Sequence, residues 1–255
     1  MEEKIKGSID KAFFLLDCLA VAGRPMSLKE LAEKLDAPKS TVHGILLKLC
    51  NLDAVFQDAH TGKYSLGIRL FELGNSYSQS LDIVNIARPI VKEAMEATQK
   101  SVHIMMLRFP WVVLVCHFEP PNARMRMLLT TGTRLPLYSN PHGKLFLSYM
   151  SDSRVREYLK TCKIKRHTDW TVTDPEEIIK QLHRFRRQGY AEDHNERNIG
   201  MHGIAAPIVD HQGEILYSLA IVGMCNKKED NDVPVMIDRA VKAADQISVR
   251  LWNKR

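Results

Sequence analysis

The segment spanning residues 27–52, SLKELAEKLDAPKSTVHGILLKLCNL, constrains the fold of this chain more than any other stretch. Apolar residues recur at helical spacing in two short runs, and Asp36-Ala37-Pro38 breaks the periodicity between them. Ser27 and Glu30 have the spacing of a capping box, in which each side chain satisfies a free backbone N–H at a helix start. The segment therefore predicts two short amphipathic helices joined by a tight turn.

The second predicted helix has the polar surface that a DNA-reading helix needs. Its apolar face is formed by Val42, Ile45, Leu46 and Leu49. In a helix-turn-helix, the second helix enters the major groove with its N-terminal residues against the base edges. Short hydroxyl side chains and free N–H groups at that end can hold phosphates. We predict that Ser40 and Thr41 hold phosphates, that Lys39 and His43 read bases, and that Lys48 and Lys63 contact the DNA backbone.

A β-hairpin is predicted directly behind this second helix. Val55 and Phe56 have strand character, residues 57–63 have turn character, and residues 64–66 form the returning strand. Upstream, a supporting first helix is predicted from the helical spacing of Ile9, Ala12, Phe13, Leu16 and Leu19 or Ala20. This order of elements is the layout of a winged helix. An ordinary helical hairpin within a bundle is the alternative that the pattern leaves open.

Composition bounds the remaining possibilities. A chain of 255 residues with 45% hydrophobic residues has room for two folded domains. It lacks an apolar run long enough for a membrane helix and the layout of a signal peptide, so we expect a cytoplasmic protein. The five cysteines have no paired spacing, which favours reduced, mostly buried thiols. The net charge of +6 is weak support for DNA binding, because residues 1–80 hold ten basic and ten acidic residues.

Further helices and strands alternate without a strict βαβ rhythm, which predicts an antiparallel or mixed sheet with helices packed on it. Helices are predicted over residues 66–77, 83–98, 144–149, 175–187 and 232–251, and strands over 102–107, 112–118, 125–130, 203–209 and 215–222. Gly74-Asn75-Ser76 is predicted to be a joint, and Pro89 should lie near a helix start or cause a kink.

Three segments, in the same order, resemble one known family. The residues PKSTVHGILLKL, the hairpin and YSLGIRLFELG (64–74) resemble the N-terminal domain of the IclR family of bacterial transcription factors. RLPLYSNPHGKLFLSYM (134–150) and RRQGYAEDHNERNIGMHGIAAPIVDHQGEI (186–215) resemble the effector domain of that family. The resemblance implies an α+β fold in which a winged helix-turn-helix at residues 1–76 is joined by a helical linker to a GAF-like α/β effector-binding and oligomerisation domain at residues 77–255.

An effector site follows from the resemblance rather than from spacing. By position, it implies Pro141, His142, Asp193, Gly203, Ala220 and Val222 as pocket residues. Members that bind small carboxylates tend to have a cysteine and two serines at the last three positions, where this chain has Gly203, Ala220 and Val222. We therefore expect an effector that is bulkier or more apolar than a small keto acid, for example an aromatic compound, with extra room at Gly203 and with His142 and Asp193 as polar anchors. Plain core packing is the alternative for Ala220 and Val222.

The recognition helix also departs from the pattern of the family. Many members carry arginine after the Ser-Thr-Val-His run, and this chain has Gly44. Either the operator differs at that base, or Gly44 allows close approach to the groove.

These features predict a DNA-binding transcriptional regulator, a homodimer or homotetramer, whose binding to double-stranded operator DNA is modulated by a small metabolite. One alternative is an enzyme that uses Asp193 and a histidine as acid–base groups. Another is a ligand sensor whose N-terminal domain serves only protein contacts. We expect no cofactor and no metal, because the polar turn Asp193-His194-Asn195-Glu196 with His202 fits no standard zinc spacing and turns of this kind are usually solvated.

Overall fold

Six elements form a winged helix at the N-terminal end of the computed structural model, which describes residues 7–121, 129–224 and 232–252. In chain order they are α1 (Ser8–Ala22), α2 (Leu28–Leu35), α3 (Lys39–Asn51), β1 (Val55–Gln57), β2 (Tyr64–Leu66) and α4 (Ile68–Ser80). β1 and β2 pair antiparallel, and Met26 forms a bridge with Tyr64 beside them. These elements belong to a compact unit that ends at Leu81.

The capping residues and the helix break that predicted the helix-turn-helix have those roles in the structure. Ser27 Oγ accepts a bond from the Glu30 backbone N–H at 3.3 Å, and a Glu30 carboxylate oxygen accepts one from the Ser27 N–H at 2.8 Å. Asp36, in the left-handed region at φ 51°, ends α2, and Pro38 precedes the first residue of α3. The predicted winged helix is confirmed. Its core consists of Leu15, Leu19, Met26, Leu31, Ala32, Leu35, Val42, Leu46, Leu49, Ala54, Val55 and Tyr64.

One prediction about this unit is confirmed and one is wrong. The predicted supporting helix is present as α1, which buries Leu15 and Leu19 and exposes Ile9 and Phe13 of the repeat. The periodicity of an apolar-rich helix fits more than one face, and tertiary packing decides between them. The predicted joint at residues 74–76 lies inside α4, which has no buried residue within the described ranges. Glycine there lowers helix propensity without ending the helix.

The second compact unit begins at Asp82 and is built on a six-stranded sheet. Its elements are α5 (Asp82–Thr98), β3 (Ser101–Arg108), β4 (Trp111–Phe118), β5 (Arg134–Pro136), a 3₁₀ turn (Leu137–Ser139), α6 (Pro141–Ser148), α7 (Asp152–Thr161), α8 (Pro175–Gln188), β6 (Ala191–His194), β7 (Met201–Val209), β8 (Ile215–Met224) and α9 (Asp232–Trp252). The strand order is β5-β4-β3-β8-β7-β6, and every neighbouring pair is antiparallel.

Helices cover both faces of this sheet. Ala220 and Val222 of β8 pack in one cluster with side chains of α6, α7 and α8. Leu219 and Ile221 alternate with them and are also fully buried, on the other face, because successive side chains of a strand point to opposite sides. The prediction of an α+β fold with helices packed on an antiparallel or mixed sheet is confirmed.

Boundaries in this unit differ from the predictions at several places. The helix predicted over residues 144–149 begins at Pro141, because Asn140 caps it and proline suits its first position. The short elements β5, β6 and α7 were not predicted. Most of the strand predicted over residues 125–130 lies outside the described residues, and Leu129 and Thr130 are not in a strand. The proposed domain boundary after residue 76 stays a prediction beside the division after Leu81. Across the described ranges, we find no helix whose length and apolar character would let it cross a bilayer.

Candidate functional site

The residues predicted to contact DNA lie on the exposed side of the winged helix. Six of the predicted residues are exposed on α3, namely Lys39, Ser40, Thr41, His43, Gly44 and Lys48. Lys63 is exposed on the hairpin of the same unit. The fold therefore places six of the seven residues on one helix and the seventh at the turn behind it.

The start of α3 differs from the start of α2 in a way that suits phosphate binding. In α2 the Ser27 side chain accepts a bond from a backbone N–H of the first turn. Pro38 stands at the equivalent position of α3 and has no side chain that could do so. The first N–H groups of α3 are therefore available to an anion, and the positive end of the helix dipole favours one there.

The hairpin turn is held in shape by Asp58. One oxygen of its carboxylate accepts bonds from the His60 N–H at 3.1 Å, the Thr61 N–H at 2.7 Å and the Thr61 hydroxyl at 2.8 Å. These bonds lower the pKa of the Asp58 carboxyl, and the Thr61 N–H contributes most. Gly62 follows at φ 67°, which completes the reversal that brings the chain to Lys63.

A buried cavity of about 70 Å³ lies in the second unit. Its walls come from β3, β5, α6, β6, β7, β8 and the segments between them, and they comprise His103, Met105, Leu129, Leu135, Asn140, Pro141, His142, Asp193, Arg197, Asn198, Met201, His202, Gly203 and Val222. Five of the six predicted pocket residues are among them. Ala220 is not, and its side chain is fully buried in the neighbouring core.

His142 is fixed in this cavity by the start of α6. Asn140 caps the helix by accepting a bond from the Gly143 N–H at 2.8 Å. A Cβ at Gly143 would overlap the Leu137 backbone, so glycine allows the 3₁₀ turn and α6 to meet closely. The His142 Nδ1 atom lies 3.0 Å from Ser218 Oγ, while its Nε2 atom, also buried, has no hydrogen-bond partner within the described residues.

Burial keeps two of the three histidines that line the cavity neutral. The rings of His103 and His142 are stacked with centroids 6.5 Å apart. Desolvation lowers the pKa of His103 to about 4 and that of His142 to about 3, and each has a further, smaller repulsion from a neighbouring histidine. Neutral imidazole offers one donor and one acceptor, so the cavity presents hydrogen-bonding groups here rather than charge.

Asp193 faces the cavity from β6 and is held by a buried ion-pair network. The Lys144 ammonium pairs with the Glu196 carboxylate and also donates to Gln181 Oε1 at 2.8 Å. The Glu196 N–H donates to Asp193 Oδ1 at 2.9 Å. Burial, followed by repulsion from Glu196, raises the pKa of Asp193 to about 7. The expectation that this polar turn is solvated is wrong, because Asp193 and Glu196 are both buried.

The expected extra room at Gly203 is also absent. A Cβ at Gly203 would lie 2.9 Å from Pro141 Cγ and 3.5 Å from Val222 Cγ2, so neighbouring side chains already fill that space.

Sequence reasoning missed several polar wall residues, among them His103 and Arg197. His103 lies on β3, where its alternation with Met105 is the one signal that both share a face. Arg197 donates to Ser139 Oγ at 3.4 Å and follows the buried Glu196 in a loop that has no period to interpret.

Groups that could bind metal do not converge in the described part of the chain, where no three His, Cys, Asp or Glu side chains form a ligand set. The four cysteines described there are free thiols; Cys116 is buried and the other three are partly exposed.

Comparison with known proteins covers nearly the whole chain. Residues 8–59 match the IclR helix-turn-helix domain, and residues 75–249 match the family described as bacterial transcriptional regulator IclR C-terminal. The HTH-type transcriptional regulator BhcR of Paracoccus denitrificans is 30% identical over 94% of this chain and 86% of its own length. The HTH-type transcriptional regulator KdgR of Escherichia coli is 32% identical over 84% of this chain and 81% of its own.

Solved structures show the same architecture. The IclR transcriptional regulator of Alicyclobacillus acidocaldarius superposes with a TM-score of 0.83 at 27% identity and covers 95% of this chain and 97% of its own. An IclR homologue from Microbacterium hydrocarbonoxydans, complexed with 4-hydroxybenzoate, has a TM-score of 0.79 at 21% identity and covers 95% of this chain and all of its own.

Proposed function

The chain belongs to the IclR family of bacterial transcriptional regulators, and on that premise we propose that it binds operator DNA through α3 and the hairpin turn, under the control of a small metabolite held in the cavity of the second unit. The observation that carries the proposal is the exposed polar face of α3, which starts with uncapped N–H groups in a winged helix. The relatives named above are regulators, so the chain is a transcriptional regulator and not an enzyme.

In the proposed complex, the residues of α3 and the hairpin turn divide into two classes. Ser40, Thr41, Lys48 and Lys63 hold phosphates, and these contacts position the protein without reading sequence. Lys39 and His43 read base edges in the major groove. Gly44 has no atom within 4 Å of the place a Cβ would take, so an arginine there would fit and would add a contact that this chain lacks.

A gel-shift titration with DNA upstream of the protein's own gene tests this proposal. Removing a phosphate contact by Lys63→Ala should weaken binding equally for all sequences and lower the salt slope by about one counterion. Lys39→Ala and His43→Ala should instead change the preferred sequence. Lys92→Ala, an exposed lysine of the second unit, is the matched charge control. No shift at low salt would contradict the proposal and favour a unit that contacts proteins only.

We further propose that the protein acts as a homo-oligomer, with a dimer as the smallest unit. α4 exposes Ile68, Phe71 and Tyr77, and α1 exposes Ile9 and Phe13. Apolar side chains concentrated on exposed helices mark association sites in soluble proteins. Sedimentation of Phe71→Glu against wild type would test the dimer, and an unchanged mass would show that these residues do not hold it together.

The proposed effector is bulkier or more apolar than a small keto acid. The apolar side chains of Met105, Leu135 and Met201 form part of the cavity wall. His142 and Asp193 serve as the polar anchors in this proposal. At about 70 Å³ the cavity is smaller than the roughly 300 Å³ of typical ligand pockets, so a bulky effector must displace wall side chains. The unbranched side chains of Met105 and Met201 can move at the lowest cost.

Calorimetry with a panel of aromatic acids, glyoxylate and pyruvate tests the effector class. His142→Leu should weaken binding of the aromatic compound, and His117→Leu, an exposed histidine on β4, should not. That 4-hydroxybenzoate occupies a relative shows that one protein of this fold accepts an aromatic acid. Tight binding of pyruvate or glyoxylate, and of nothing bulkier, would contradict the proposal.

A further inference from the structure

A buried tyrosine lies beneath the exposed face of the recognition helix. The Tyr64 hydroxyl is 3.4 Å from Nδ1 of His43, which is exposed on α3. Tyr64 as a whole is 2% exposed and packs in the core of the winged helix. One side chain thus joins the hairpin to a residue that is proposed to read bases.

The backbone of Tyr64 is held as firmly as its ring. Its N–H donates to the Met26 carbonyl at 2.7 Å, and its carbonyl accepts from the Met26 N–H at 2.8 Å. Its Cα pairs with Gln57 across the hairpin. Packing fixes the ring of Tyr64, and the two backbone bonds to Met26 fix its main chain. A residue held in this way positions a partner better than a loop residue could.

The contact also decides which nitrogen of His43 carries the proton. Within the described ranges, His43 Nδ1 is the one hydrogen-bond partner of the Tyr64 hydroxyl. If Nδ1 carried hydrogen, it would donate to the phenol oxygen and leave the buried Tyr64 O–H without an acceptor, which is the costlier arrangement. The O–H therefore donates to Nδ1, and the tautomer with hydrogen on Nε2 follows.

We propose that Tyr64 is a positioning residue that presents His43 to DNA as an Nε2–H donor. This proposal rests on the proposed function, in which His43 faces the major groove. A donor there bonds to guanine N7 or O6, adenine N7 or thymine O4, and it rejects the amino groups of cytosine and adenine. Tyr64 thereby limits which base pair His43 accepts without touching DNA itself.

The tautomer is measured on the protein alone, by ¹⁵N-detected NMR of the His43 ring at a pH where it is neutral. Wild type should show a pyridine-type Nδ1 and a pyrrole-type Nε2, and Tyr64→Phe should shift the ring toward a mixture of both tautomers. Tyr77→Phe, an exposed tyrosine in the same unit, should leave the ring unchanged. The same tautomer ratio in wild type and Tyr64→Phe would overturn the proposal.

Selection of binding sites from random DNA tests the consequence for specificity. Tyr64→Phe should reduce discrimination about twofold to tenfold, at the same base pair that His43→Ala affects, as expected for loss of one hydrogen bond. His43→Gln places an amide near the Nε2 position with no group at Nδ1, so adding Tyr64→Phe to it should change nothing further. An equal loss in that background would show that Tyr64 acts on folding instead, and unfolding curves of each variant check this directly.

The two proposals fail separately. If His43→Ala changes no base preference while the tautomer shift occurs, the base-reading role of His43 is wrong and the tyrosine–histidine contact is right. If His43→Ala changes the preference and Tyr64→Phe does not, His43 reads DNA without help from Tyr64, and the positioning role is wrong.

Discussion

Replacing Lys144 by methionine should destabilise the second unit more than any surface substitution. The Lys144 side chain is 0% exposed and that of its partner Glu196 is 7% exposed. Methionine keeps most of the apolar stem, so packing changes little, but the ammonium and its two bonds are lost. Glu196 then keeps a bond from the Val172 N–H at 3.3 Å as its remaining carboxylate contact among those described.

The expected cost is about 3–5 kcal/mol, the range found when one partner of a buried ion pair is removed. The exposed pair Lys180–Glu177, at 3.3 Å, is the matched control, and Lys180→Met should cost less than about 1 kcal/mol. In Lys144→Met with Glu196→Gln, no buried charge is left unpaired. The double variant should therefore be more stable than Lys144→Met alone, although the hydrogen bonds are still lost.

Urea unfolding followed by tryptophan fluorescence measures this cost in the correct unit. All three tryptophans, at positions 111, 170 and 252, lie beyond Leu81, so the signal reports on the second unit. The midpoint should fall by roughly 1–2 M for a slope of about 2–3 kcal/mol per molar. A loss below about 1 kcal/mol, equal to that of the control, would refute the reasoning, since it would mean that Glu196 finds water or another cation.

Three further outcomes are expected. Gly44→Ala should stabilise the winged helix by about 0.5–1 kcal/mol, because the added Cβ meets open space in a helix. Gly67→Ala should destabilise it, because the added Cβ would overlap the Asp53 backbone. Thermal unfolding followed by circular dichroism compares the stability of the two variants. Ser27→Ala should cost about 1 kcal/mol in the same assay through loss of the capping box, and no loss would show that α2 needs no cap. Between pH 6 and 5, His103 and His142 take up protons in the unfolded chain but stay neutral in the folded one, so stability falls as the pH falls. Asp193 has the opposite effect, because it is protonated in the folded chain and ionised in the unfolded one. Asp193→Asn should therefore steepen the loss by about 1.4 kcal/mol per pH unit, and an unchanged slope would show that Asp193 is ionised in the fold.

The winged helix could be predicted because its signals are local. The capping box, the break before Pro38 and the spacing of Val42, Leu46 and Leu49 lie within one segment, and each acts in the structure as predicted. The buried face of α1 could not be predicted in the same way. Its sequence is apolar on more than one side, so only contacts with α2, α3 and β2 decide that Leu15 is buried and Phe13 is exposed.

The cavity depended on information that is not local. Lysine and glutamate are rarely buried unless paired, so sequence alone favours a solvated Lys144 and a solvated Glu196. The two residues are far apart in the chain, and folding brings them together between α6 and the loop after β6. The resemblance supplied five wall residues by position but none of their bonds. It therefore gave no sign that Pro141 closes the space at Gly203.

His43 and His142 have the same hydrogen-bonding arrangement, one on an exposed helix face and the other in a buried cavity. In each ring, Nδ1 lies near a hydroxyl of the same unit, Tyr64 or Ser218, and Nε2 has no partner among the described residues. The exposed Nε2 of His43 can bond to water when DNA is absent, so leaving it free costs little. The Nε2 of His142 is buried, and an unsatisfied buried polar atom costs about 1–3 kcal/mol. In the proposed effector complex, a polar group of the ligand that bonds to His142 Nε2 would recover that cost.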